Sequence, residues 1–268
     1  MGMALWVADG ERGLMRKTQE GFARVGPPGY ALCAGMGRVY CAGAGRCLCC
    51  RGDTGEELFD FPVPPGVCVL CLFRGMVCAL STEADCVTAY DPETGEMLYA
   101  APAGAYPRDL CPGGEWLAVA GGAAGEILLL DGEMRRAARF RLPGTVCGAC
   151  FQPRGLYALC AAGEEELKAR LLRLSLRGVW EEIFLDPQPP ASLCALADGK
   201  CLVGCREGVI KVRQDGKAVG RWRCAYPARL RLCRGGAIVC DSWQGEVRML
   251  SGQTLYRGGE PLDAVYLP

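Results

Sequence analysis

Six stretches along this chain end in cysteine at a nearly constant interval. "YALC" ends at Cys33, "CVLC" at Cys71, "RDLC" at Cys111, "CGAC" at Cys150, "ASLC" at Cys194 and "LRLC" at Cys233. The successive steps are 38, 40, 39, 44 and 39 residues. A period near 40 constrains the fold more than any other feature. Each unit must be one supersecondary motif that buries its faces against neighbouring copies.

Each anchor opens a series of four short apolar runs. After it come a glycine turn ("GMG", "RG", "PGG", "PRG", "ADG", "RGG") and a second run such as "RVYCA", "EWLAVA" or "GAIVC". Glycine belongs in such turns because tight hairpins need positive φ. Third runs such as "EILLLD" and "VIKVRQDGK" end in Asp, Ser, Gly or Thr, and fourth runs such as "EMLYAAP" and "RRAARFRL" close the unit. Asp131 is predicted to open a hairpin by accepting from local backbone.

Four strands at this period predict a propeller blade. Six units occupy about 29–260. The remainder completes a seventh: 1–28 holds strands two to four, and "PLDAVYLP" in 261–268 holds a first strand with Tyr266 at the anchor. The expected fold is all-β, one seven-bladed β-propeller domain over 1–268, closed by the C-terminal strand joining the N-terminal blade. Closure of this kind leaves no blade with an open inner position.

The chain resembles the seven-bladed propellers with YVTN-type repeats, and more distantly the quinoprotein-like propellers. The resemblance spans the whole chain and is carried by "YPRDLCPGGEWLAVAGGAAGEILLLD" and "VTAYDPETGEMLYA". It implies shape, and some YVTN-similar propellers are lactonase-like hydrolases.

Composition narrows the chemistry. Thirty Lys+Arg balance thirty Asp+Glu, which argues against a nucleic-acid binder. No apolar run suits a membrane helix, and the first residues do not read as a signal peptide. A soluble, cytoplasmic monomer is expected. The chain has no histidine, which removes a histidine base, the Ser-His-Asp triad and histidine metal ligands. No phosphate-binding or dinucleotide fingerprint is present. "RGD" at Arg51–Asp53 falls in a predicted hairpin.

Nineteen cysteines raise the question of metal or redox chemistry. The pairs Cys47/Cys50, Cys68/Cys71 and Cys147/Cys150 have the Cys-x-x-Cys spacing. In a strand, residues three apart face opposite sides, so these pairs are expected in core packing. A second set (Cys41, Cys78, Cys160, Cys205, Cys240) exchanges with Ala8 and Ala120, which marks a small buried slot. Neither metal nor cofactor is expected.

The mouth of the central channel is the expected site. Residues just before the anchors should line it: Tyr30, Val69, Arg108, Asp109, Gly148, Ser192, Arg229, Arg231 and Asp263. The arginines and aspartates suit a small anionic ligand, while Arg108–Asp109 and Arg231–Asp263 also read as structural ion pairs. Outer loops add Glu164–Glu166 and Trp243. The leading functional expectation is a non-enzymatic binding propeller for a protein or a small anion. Its alternative is a lactonase-like hydrolase using Asp109, Asp263 and Arg108, or a carboxylate-bound metal. Quinone-cofactor binding ranks last.

Overall fold

The computed structural model describes residues 4–162, 167–175, 177–233 and 235–267. Its strands, numbered β1–β28 in chain order, form seven four-stranded antiparallel sheets. The innermost strands are β4 (Ala31–Gly35), β8 (Val67–Phe73), β12 (Asp109–Gly113), β16 (Thr145–Gln152), β20 (Pro190–Ala195), β24 (Pro227–Cys233) and β28 (Pro261–Leu267). They follow one another around the channel, and β28 adjoins both β24 and β4. Among the described residues one short 3-10 turn, Gly122–Ala124, interrupts the strands. The chain is a seven-bladed β-propeller.

Closure follows the expected arrangement. β28 pairs with β1 (Ala4–Asp9), so the first sheet reads β28-β1-β2-β3. Buried Asp9 reinforces the seam. Its carboxylate accepts from the backbone of Glu11 and Arg12 in its own blade, from Glu260 N, and from the Tyr256 hydroxyl of the last blade at 2.7 Å. Asp131 accepts from Glu133 N and Arg135 N, the predicted hairpin bond. At the first glycine turn, Met36 and Gly37 both have positive φ (54° and 72°), as a primed hairpin turn requires.

Seven hydrophobic clusters fill the seven interfaces between adjacent blades. Both faces of each sheet are therefore buried, and alternate residues serve opposite neighbours. In β13 (Trp116–Gly121), Leu117 and Val119 face one blade while Ala118 and Ala120 face the other. This two-sided burial is why half of the sequence is hydrophobic. It also accounts for the cysteines: all nineteen are free thiols, and Cys41, Cys78, Cys160, Cys205 and Cys240 are buried between blades. The single slot expected for them and for Ala8 and Ala120 is corrected by the register: Cys78 lies opposite Cys71 whereas Ala120 lies opposite Asp109, and Ala120 and Cys160 meet from adjacent blades in one interface. Free cysteine acts there as a small hydrophobe.

Cys47 and Cys50 do face opposite interfaces. Cys68 and Cys147 depart from simple alternation, because β8 and β16 carry a bulge at each of them. A bulge inserts one extra residue and re-aims its side chain. In the last blade the hairpin register corrects the anchor. Arg231, two residues before the end of its strand, sits at the level of Cys111, and Cys233 lies at the hairpin.

Candidate functional site

The channel mouth opens into a cavity of about 1410 Å³. Bulges decide what lines it. Five inner strands bulge at their upper ends, at Cys68, Cys147, Ala191, Ala228 and Leu262, and all five residues reach the cavity wall. The two unbulged blades present Tyr30 and Arg108 instead.

This corrects the expected lining. Tyr30, Arg108, Asp109, Ser192, Arg229 and Arg231 line the cavity as predicted. Val69 and Gly148 do not, because the bulged residue before each takes the mouth position. Val69 is buried between blades. Gly148 lies under Asp109, where a Cβ would meet Asp109 Oδ2 at 3.3 Å and Leu193 Cβ at 3.1 Å. Asp263 is also withdrawn from the cavity and fully buried. The Glu164–Glu166 run lies outside the described residues.

The charges pair in a way that crosses the channel. Asp109 was expected to pair with its neighbour Arg108. Instead Arg229, three blades away, donates from Nη1 to Asp109 Oδ1 at 3.2 Å and from Nη2 to the Cys68 carbonyl at 3.0 Å. Adjacent residues on a strand point to opposite sides, so Arg108 and Asp109 cannot share one geometry. Arg108 is exposed, and among the described residues it has no ion-pair partner. The Arg231–Asp263 pair does form. Arg231 donates to both Asp263 oxygens, at 3.1 Å from Nε and 2.8 Å from Nη2, and from Nη2 to the Leu32 carbonyl.

Each aspartate also stitches its blade to the next. Asp109 Oδ2 accepts from Ala149 N at 3.3 Å, and Asp263 Oδ2 accepts from Leu32 N at 3.0 Å. Their titrations diverge. Burial raises the Asp109 carboxyl above the ordinary carboxylate value, with Arg229 opposing. Burial also acts on Asp263, but Arg231 and Arg229 outweigh it and hold that carboxyl low. Two carboxylates pushed apart in this way suit different tasks: Asp263 as a fixed counter-ion, Asp109 as a proton acceptor.

Trp243 lies on the rim, outside the cavity wall. It stacks on Tyr226 with ring centroids 5.5 Å apart, and Tyr226 does line the cavity. Tyr226 was not singled out from the sequence, because its role depends on a neighbour seventeen residues later in a different loop. Among the described residues no group of three or more Cys, Asp or Glu side chains is placed to hold a metal ion. No described helix is long and apolar enough to cross a membrane.

No protein-family model matches the sequence, and no curated protein matches it. Solved structures do resemble it. A candidate 6-phosphogluconolactonase from Bacteroides uniformis ATCC 8492 has a TM-score of 0.74 at 13% identity, covering 99% of this chain and 99% of its own. One from Bacteroides fragilis NCTC 9343 has a TM-score of 0.73 at 11% identity, covering 99% and 98%. Virginiamycin B lyase from Staphylococcus aureus has a TM-score of 0.66 at 13% identity, covering 82% and 79%. At such identities the shared property is the fold. The expectation of a non-enzymatic binding scaffold is nevertheless corrected. The finding against it is that candidate lactonases match along essentially the full length of both chains.

Proposed function

We propose that this propeller is a lactonase-like hydrolase acting on a small anionic lactone at the channel mouth. One observation carries the reading. Asp109, a buried carboxylate with a raised pKa, borders the mouth cavity beside exposed Arg108, which has no ion-pair partner among the described residues. The full-length likeness to candidate lactonases supports it.

The chemistry needs only groups that line the cavity. Asp109 accepts a proton from water as the water oxygen attacks the lactone carbonyl. Arg229, already bonded to Asp109, supplies positive charge to the developing oxyanion. The ring C–O bond then breaks, and the leaving alkoxide takes the proton back from Asp109. The product is an open hydroxy acid. Arg108 holds the anionic substituent, for which a guanidinium offers a two-pronged donor fork. Asp263 is assigned a structural role, because it is fully buried and capped by Arg231. A cytoplasmic setting accords with nineteen free thiols.

The test is lactone hydrolysis followed by acid release in a pH-stat, on neutral and phosphorylated sugar lactones. Wild-type protein should exceed the spontaneous rate, with preference for the anionic lactone. Arg108→Ala should raise KM for the anionic substrate and leave the neutral one unchanged. Wild-type hydrolysis no faster than buffer would end the reading.

A further inference from the structure

A wall of stacked side chains borders the cavity between the last two blades. Tyr226 precedes β24, in the connection that opens the last blade. Trp243 lies in the loop after β25 (Gly236–Asp241). Their rings stack at 5.5 Å with an interplanar angle of 19°. Arg206, from the loop after β21 (Cys201–Cys205) of the preceding blade, sits over Trp243 at 5.8 Å from the ring centroid. Three loops from two blades thus build one layered stack.

The stack is held by a buried group beneath it. Asp241 is fully buried, and its carboxylate gathers both aromatic loops. Oδ2 accepts from Ala225 N at 2.7 Å and from the Cys224 thiol at 3.1 Å. Oδ1 accepts from Tyr226 N and from Gln244 N, each at 3.2 Å. One carboxylate therefore sets the position of the Tyr226 loop and of the Trp243 loop together. Trp243 remains 65% exposed, so packing into the core does not explain its fixed stacking.

We infer that Tyr226, backed by Trp243, is a ring-stacking wall of the mouth cavity that takes the flat face of a saturated sugar ring. Tyr226 is the stacked residue that lines the cavity. An aromatic face carries negative charge density, and the C–H groups on one face of a sugar ring are weakly positive, so the two attract. Arg206 is attracted to the Trp243 ring, which helps to keep the indole in place. Rigid aromatic walls order a ligand at small conformational cost. The wall rests on the proposal that the mouth cavity is the substrate site. It adds a discriminator that Arg108 cannot supply, because Arg108 reads charge and the wall reads ring shape.

The experiment compares two neutral polyols, anhydroglucitol, which keeps a pyranose ring, and glucitol, its open-chain counterpart. Binding is read by ligand-observed NMR titration, independently of any hydrolysis. Wild-type protein should bind the cyclic probe and discriminate against the open one. Tyr226→Ala should weaken the cyclic probe by roughly threefold to tenfold and leave the open probe unchanged. Tyr226→Phe, which keeps the ring and guards against misfolding, should bind as wild type does. Equal binding of both probes, or an unchanged Tyr226→Ala, overturns the wall while lactone hydrolysis can still stand. No binding of the cyclic probe together with no lactone hydrolysis removes both readings.

Discussion

Arg229 of the last blade donates to Asp109, a residue 120 positions earlier on a blade across the channel. The same guanidinium reaches the Cys68 carbonyl on a third blade. One side chain thus crosses the channel mouth and places positive charge beside the carboxylate with the raised pKa.

That arrangement gives a pH signature. Burial raises the Asp109 carboxyl and Arg229 partly counteracts it. Hydrolysis by the ionised form should therefore rise with pH through a value above about 3.9, the ordinary carboxylate figure. Arg229→Met removes a lowering influence and should move this limb to still higher pH. Asp109→Asn should lose at least about 100-fold in kcat while the circular dichroism spectrum shows that the fold is kept. A limb that ignores both substitutions would exclude Asp109 as the base.

Asp263 should act on stability instead. Its folded carboxyl is held below the ordinary value, so its contribution is present above about pH 4 and is lost as pH falls through the folded value. Arg231→Met leaves a buried carboxylate unpaired and should cost about 3–5 kcal/mol near neutral pH. The double change with Asp263→Asn should recover part of that loss. Urea unfolding of the single and double variants at two pH values decides it, and equal losses in both would show that the pair is not coupled.

Asp9 and Asp131 both accept from turn backbone, but only Asp9 also joins two blades. Asp9→Ala orphans the buried Tyr256 hydroxyl and three partly buried backbone amides and should cost at least about 2 kcal/mol, whereas half-buried Asp131→Ala should stay near 1 kcal/mol or below. Chemical denaturation of the two variants measures the difference. Similar losses would mean that the seam at Asp9 adds little to closure.

Cys160, fully buried in the interface that it shares with Ala120 of the preceding blade, predicts an asymmetry between two small substitutions. Cys160→Ala removes one buried sulfur and should cost about 1 kcal/mol. Cys160→Ser brings in a hydroxyl without a partner and should cost about 1–3 kcal/mol more. Urea midpoints report both. A serine variant as stable as the alanine one would point to a polar partner at that position.

The blades, their order and the split seventh blade were legible because the signals are local. Turn glycines such as Gly37, Asp131 at its hairpin and the alternation in "EWLAVA" each act within a few residues, and repetition at about 40 residues multiplies them. Tyr30, Arg108 and Asp109 could be placed at the mouth on the same local grounds. The bulges at Cys68 and Cys147 could not, since a bulge depends on how a strand meets its partner at the crowded channel mouth. Nor could the choice of Arg229 over Arg108 for Asp109, or the meeting of Tyr226 with Trp243 over buried Asp241. The sequence by itself determined a ring of seven four-stranded units. Only the closed ring decided which charges meet across its axis, because that distance exists once the last strand has paired with the first.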